Sequence, residues 1–310
     1  MSEAVYFRHV GAYDDFDLPG TVSELLEATG LRPPAGALVL VKPNLVAPRT
    51  MALACTAPQV VRAVCRHLLD YGVRVVVADS LAFGTGRIMA RLCGLRDALA
   101  DLPVTLANLD APRAVRLSFG GHIGVARLAL EADHIVNVPR LKCHDQMGLS
   151  AGVKNLFGCV CGFRKSLAHQ RFGSHGNHFA RMILDVAAAL PPVTTLIDGV
   201  VAMERSGPTG GDPFPLGLLG AAANPVALDT ALARMLGYTP ESLPLWREAR
   251  SMGLPGALPD ELAFPLDTPE SFPVATGFRR PPKLSPVAFA PGRFVKGRLK
   301  SLLTRLRFLD

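Results

Sequence analysis

Long apolar runs are missing from this chain of 310 residues. No uninterrupted stretch reaches the roughly 18–20 apolar residues that span a bilayer. The nearest approaches are broken at Pro191-Pro192, Asp198 and Asn224-Pro225. Charge is also sparse, at 19%, while Ala, Val and Leu are abundant. That balance excludes a disordered chain and leaves ample apolar surface for a real core. The opening MSEAVYFRHVGAYDD is acidic and polar, unlike a secretory signal, so the expected compartment is the cytoplasm. Three catalytic fingerprints are absent: there is no G-x-S-x-G elbow and no P-loop, and the Gly84-x-Gly86 turn has Met89 where a dinucleotide fingerprint needs its third glycine. NAD is therefore not expected as a cofactor. Cysteine is absent beyond position 161, and the six present lack the density of a secreted disulfide scaffold.

The net charge of +7 is unevenly spread. Residues 277–310 hold nine Lys or Arg against the single acid Asp310, so the rest of the chain is close to neutral, at −1. The basic character belongs to the tail. It gives the body no reason to bind nucleic acid.

Strand-like and helix-like runs alternate. Strands are expected at 37–41, 73–78, 103–108, 115–119, 134–138, 194–198 and 217–221. Helices are expected after Thr56 as a cap, from about Arg87 to Leu92, and at about 123–131, 177–189 and 226–236. This pattern predicts an α/β fold with a mainly parallel sheet covered by helices on both faces. The body is expected over residues 1–254. Residues 255–291 carry nine prolines in 37 positions and read as a linker or wrap running to about 292. Beyond it, apolar residues recur at helical spacing over 293–309, opposite Lys296, Lys300 and Arg307. That segment predicts a basic amphipathic helix, suited either to a membrane surface or to packing on the body or a second copy.

Ligands of parallel sheets bind beyond the strand carboxyl ends. Polar residues gather at those ends here: Lys42 and Asn44 after the first strand, Asp79-Ser80 after the second, Asn137 through Lys142, Cys143 and His144 after another, and Asp198 with Glu204 after 194–198. The densest segment, 137–178, adds Lys154, Asn155, Lys165, His169, His175 and His178 among six glycines. A Gly-rich stretch lets backbone N–H groups approach an anion, and nearby lysines neutralise it. The reading is a small-anion site in which Lys42, Lys142 and Lys154 neutralise the ligand and Asn44, Asn137 and Asn155 orient it. His144 or His169 would act as general acid or base, with Asp79, Asp198 and Glu204 orienting them or holding a cation. His175 and His178 read equally as residues at a helix start.

Metal chemistry is a competing expectation. Cys143, Cys159 and Cys161 with a nearby histidine, and with Asp198 as a further donor, would serve a zinc or iron–sulfur centre, although C-x-C is not the usual knuckle spacing. A divalent cation on Asp79, Asp198, Glu204 and Asp229 is a second version. Cys55, Cys65 and Cys93 sit among apolar helical residues and read as buried thiols.

An ordered series of motifs adds a family resemblance. It comprises Val41-Lys-Pro-Asn-Leu-Val46, Thr56-x-Pro58, Val77-Ala-Asp-Ser80, Asn137-Val-Pro-Arg-Leu-Lys-Cys-His144 and Gly152-Val-Lys-Asn-Leu-Phe-Gly-Cys159. It continues with Lys165, His169, Ile197-Asp-Gly-Val-Val-Ala-Met-Glu204, Gly207-Pro208 and Asn224-Pro-Val-Ala-Leu-Asp229. Over about residues 37–237 the chain resembles the family catalogued as domain of unknown function 362, which has no general assigned reaction. Members often carry a ferredoxin-type iron–sulfur module, which implies redox work. This chain has no cysteine in that region, so such a module is excluded here. Cys143 stands where the family usually has Thr, and Cys161 where it usually has Pro. Three functions stay open at this point: an enzyme on a small carboxylate or phosphate, a metal or iron–sulfur redox protein, and a non-catalytic small-anion binding protein.

Overall fold

The structure, a computed structural model, describes residues 2–46, 51–80, 90–91, 93–162, 164–173 and 176–287. The Gly84-x-Gly86 turn, most of the helix expected at 87–92, His175 and the basic segment 293–309 lie outside the described residues.

Ten strands form one mixed sheet. Five parallel pairings make its spine: β9 (Arg140–His144) on β11 (Val193–Glu204), then β8 (His134–Val138), β3 (Leu38–Pro43), β4 (Arg74–Asp79) and β5 (Thr105–Asn108). Antiparallel strands complete one side. These are β10 (Gly148–Ser150) on β9, with β12 (Asp212–Phe214) and β13 (Leu218–Ala222) on β11, and β2 (Tyr6–His9) on β13. The α/β class is as expected from the sequence. The antiparallel flank is an addition, and β2 lies upstream of the motif-bearing region.

Alternation along the central strands sends successive side chains into different cores. Val39 and Val41 join Val75, Val77, Val136 and Val138 in one apolar cluster, beneath the helices Leu18–Ala28 and Pro58–Leu69. Leu40, Ala78 and Ile135 face the other cluster, with Met182, Ile183 and Val186 of the helix His178–Ala188. Both sheet faces are thus covered, which explains why these strands read as continuous apolar runs. Parity then puts Lys42 and Asn137, directly opposite each other in the β3–β8 register, on the second face.

Two local expectations differ from the structure. Residues 122–126 form β7 (His122–Ala126), paired antiparallel with β6 (Pro112–Arg116), and the helix begins only at Arg127. The alternation of buried Ile123 and Val125 with the less buried His122 and Gly124 is a strand period, and Gly120 and Gly121, at φ +98° and +83°, close the turn. Thr56 does not cap the following helix, whose N-cap is Ala57. Its hydroxyl instead accepts from Asn44 N–H at 2.8 Å and donates to Val138 C=O at 2.6 Å, joining two strand ends.

The proline-rich stretch lies on the body over its described part. β14 (Leu262–Ala263) pairs in parallel with β1 (Glu3–Ala4), and Phe272 and Phe278 are buried beside Phe7 and Phe214. No helix among the described residues is long and apolar enough to cross a membrane.

One buried ion pair ties four segments together. Asp198 on β11 accepts from Arg140 on β9 at 2.8 Å, from the Tyr13 hydroxyl at 2.8 Å and from Ala57 N–H at 2.9 Å, with both charged side chains essentially unexposed. Removing the carboxylate strands the Arg140 charge in the core. Asp198→Ala should therefore lose about 3–5 kcal/mol, read as a lower urea midpoint. A loss under about 1 kcal/mol would show that the pair does not hold these segments.

Candidate functional site

The floor of the site is a framework of amides and one ion pair at the carboxyl ends of β3, β4 and β8. Lys42 is fully buried; its ammonium donates to Asp79 Oδ1 at 2.8 Å and to Pro43 C=O at 3.1 Å. Asp79 also accepts from Ser80 N–H (2.8 Å) and Leu45 N–H (2.9 Å), so its lone pairs are well used. Gly158 closes over this pair: a Cβ there would sit 2.3 Å from Lys42 Nζ and 2.7 Å from Asp79 Oδ1. Asn155 donates to Asn137 Oδ1 at 2.8 Å, and Asn137 donates to Gly152 C=O (3.0 Å) and Thr195 Oγ1 (3.1 Å). Two of the three asparagines expected to orient a ligand, Asn137 and Asn155, brace the helix Gly152–Leu156 on the sheet.

Three further lysines lie above this floor on three elements, close enough that Lys154 repels Lys142, and Lys165 and Lys42 repel Lys154. Lys142, on β9 and 1% exposed, donates to Ala54 C=O at 2.8 Å and to Asn44 Oδ1. Lys154, on the Gly152–Leu156 helix, holds its ammonium 5.0 Å from the Phe157 ring centre. Lys165, on the helix Arg164–Phe172, donates to Ser80 C=O, while the Ser80 hydroxyl accepts from Gly162 N–H at 2.8 Å. Each is held by a neutral group, and none of the three pairs with a carboxylate among the described residues. Burial, aided by mutual repulsion, lowers all three: Lys142 to about 7, and Lys154 and Lys165 to about 8.

Both candidate histidines adjoin this cluster and are neutral. His144 Nδ1 accepts from Gln146 N–H (3.2 Å) and Met147 N–H (3.3 Å), which assigns the ring proton to Nε2. Burial and then the Lys154 and Lys142 charges hold its pKa well below the ordinary value. His169 packs between the Phe157 and Phe179 rings and is pushed down to about 4 by burial and by Lys154. His144 is thus set up as a hydrogen-bond donor from Nε2. His178 stacks on Phe119.

Several expected site residues are committed elsewhere. Glu204 accepts from Arg279 N–H and Nε, each at 2.7 Å, and so fastens the proline-rich wrap rather than serving the lysine cluster. Asp198 belongs to the Arg140 pair. Asp229 accepts from Gly152 N–H at 2.6 Å and Val153 N–H at 3.0 Å, capping the short helix that carries Lys154. The metal set does not assemble. Cys143 lies in the apolar cluster containing Trp246, 3.8 Å from the Tyr238 hydroxyl, whereas Cys159 and Cys161 lie in a different cluster. Burial pushes Cys143 and Cys159 up to about 12, so both are protonated thiols here. No three His, Cys, Asp or Glu side chains among the described residues are grouped to hold a metal ion. Neither the zinc or iron–sulfur set nor the carboxylate cation set fits this arrangement. Conversely, Lys165 joins the cluster although the sequence reading gave it no role; its place in the ordered motif series was the available signal.

The family model described as Domain of unknown function (DUF362) matches residues 39–234, which carry the whole lysine and histidine cluster. A thylakoid-associated protein of Synechocystis sp. is 33% identical over 98% of this chain and 96% of its own length. Among solved structures, the lactate racemase apoprotein of Thermoanaerobacterium thermosaccharolyticum aligns with a TM-score of 0.47 and 12% identity, over 72% of this chain and 55% of that one. A Thermotoga maritima protein aligns at 0.42 and 17%, over 61% of this chain and 51% of that one. This chain thus spans about half the length of those two proteins, and likenesses of that level carry no function across.

The depressed lysines make stability rise with pH in a defined window. Between pH 7 and 8 the unfolded chain keeps its lysines protonated, near their ordinary value of about 10.4, while the folded chain has begun to release those protons. The unfolded state therefore binds more protons, and raising the pH favours the folded one. Cys93, lowered by its hydrogen bond to Cys55, acts in the same direction. Asp229, raised to about 7 by burial, opposes it by less than the three lysines together. The raised thiols Cys55, Cys65, Cys143, Cys159 and Cys161 oppose it mainly above pH 8, as their unfolded forms titrate around 8.5. The ligand-free protein should show a higher urea midpoint at pH 8 than at pH 7, each lysine adding at most about 1.4 kcal/mol. An unchanged or lower midpoint would mean that these lysines are not depressed.

Proposed function

From the premise that the chain belongs to the DUF362 family, which brings no assigned reaction, we propose an enzyme that acts on a small anionic substrate bearing a carboxylate or phosphate group. One observation carries the reading: Lys142, Lys154 and Lys165 come from three elements, and among the described residues none of them is paired with a carboxylate. Buried ammonium groups are costly without a counter-charge, and a bound anion supplies it. Lys42 and Asp79 form the floor, with Asn137 and Asn155 as positioning residues beneath it. His144 donates from Nε2 to an oxygen of the substrate. An ammonium that gives up its proton near neutrality is also equipped to donate one to an oxygen of the substrate, and Lys142 and Lys154 fill that role. Lysine proton transfer thus takes the place of the histidine acid or base expected from sequence.

We place this activity in the cytoplasm. We further propose that residues 293–309 hold the protein at an anionic membrane surface, with packing on the body or a second copy as the competing role. The relative's description as thylakoid-associated supports surface attachment. Full-length protein should co-sediment with anionic vesicles, and a truncation at residue 290 should bind at least about tenfold less. Equal sedimentation of both would remove the membrane role.

The enzymatic reading is tested by incubating the protein with pools of small carboxylates and phosphate esters and following turnover by NMR. On the substrate so found, His144→Ala and Lys154→Met should each lower kcat/KM by about 100-fold or more. A fully active His144→Ala variant would remove His144 from the chemistry, and no turnover across the pools would remove the enzyme.

A further inference from the structure

The charge balance of the site narrows the ligand further. Lys42 is already neutralised by Asp79, whose two oxygens are also engaged by two backbone N–H groups. The remaining acceptors around Lys142, Lys154 and Lys165 are carbonyls, one amide and one aromatic ring, none of which carries charge. The nearby ionisable groups add no further anion: Cys55, Cys159 and Cys161 are thiols, and the carboxylate that acts on Lys142 and Lys165 is the Asp79 already paired with Lys42. His144 and His169 are neutral and add donors rather than charge. No guanidinium fork faces the cluster from β9, because Arg140 is locked to Asp198. Three compact point charges approaching from β9 and two helices suit a group presenting several charged oxygens, whereas a planar single carboxylate is matched best by an arginine fork.

We infer that the ligand of this site carries at least two negative charges, a phosphate group in its dianionic form being the simplest. The inference rests on the anion-site reading above and sharpens it. With all three lysines protonated, a monoanion would leave two ammonium groups buried without compensation, whereas a dianion leaves one, the state closest to neutral that a small group can give. Binding then has a second signature. Because burial has lowered all three lysines, an arriving dianion restores their preference for the proton, and complex formation takes protons from solution.

Isothermal titration of the full-length protein at pH 8 and constant ionic strength, in two buffers of different ionisation heat, tests this with inorganic phosphate, malonate and acetate as the probes. Phosphate should bind at least about 100-fold more tightly than acetate, with uptake of one proton or more per site. Lys154→Met and Lys165→Met, which remove buried charge and retain much of the side-chain volume, should each weaken phosphate binding about tenfold or more while the far-ultraviolet spectrum is unchanged. Acetate binding as tightly as phosphate, or phosphate binding without proton uptake, would overturn the dianion inference and leave the anion site standing. Dianion binding by malonate alone would retain the charge requirement and replace phosphate with a dicarboxylate. Failure of all three probes to bind at millimolar concentration would overturn both the inference and the anion site.

Discussion

Four lysine side chains share one carboxylate at the carboxyl ends of the central strands, and the surrounding framework is arranged around that imbalance. A lone buried ammonium would move its pKa or draw in water. Here Lys42 is stabilised by Asp79, while Lys142, Lys154 and Lys165 are held by carbonyls, an amide and a ring. Neutral acceptors fix where the ammonium groups point without cancelling their charge. The anion site proposed here would trade ligand-free stability for readiness to bind, a trade common where function opposes stability.

The framework shows how the trade is supported. Asn137 and Asn155 satisfy each other and the strand-to-helix joint, and Asp229 caps the short helix that carries Lys154. Thr56 links Asn44 to Val138, so the loop presenting Asn44 to Lys142 is tied to a neighbouring strand end. Farther out, the Arg140–Asp198 pair joins β9 to β11 immediately before the chain reaches Lys142. Many of the polar residues in the motif series therefore serve to place three ammonium groups.

Much of this was legible in the sequence, for identifiable reasons. Continuous apolar runs, Val-Leu-Val at 39–41 and Val-Val-Val at 75–77, marked strands covered on both faces, and polar residues at their carboxyl ends marked the candidate site. Lys42, Lys142, Lys154, His144 and His169, all singled out in the sequence, lie near one another. Side-chain partners were not legible, because they depend on segments distant in the chain. Glu204 is taken by Arg279, 75 positions away, and Asp198 by Arg140, 58 positions away. The three cysteines looked like a ligand set because they lie close in sequence, yet Cys143 enters one apolar cluster and the other two enter another. Strand parity is what separates Cys143 from its neighbours Lys142 and His144.

The most direct test of this account is the protonation state of the lysines themselves. NMR titration of protein carrying carbon-13 at the lysine ε positions, assigned by Lys142→Met, Lys154→Met and Lys165→Met, reads each amine separately. The account predicts that in the ligand-free protein Lys142 titrates near 7 and Lys154 and Lys165 near 8. Titration of all three near the ordinary lysine value of about 10.4 would show that these charges are solvated or already balanced, and would contradict the account.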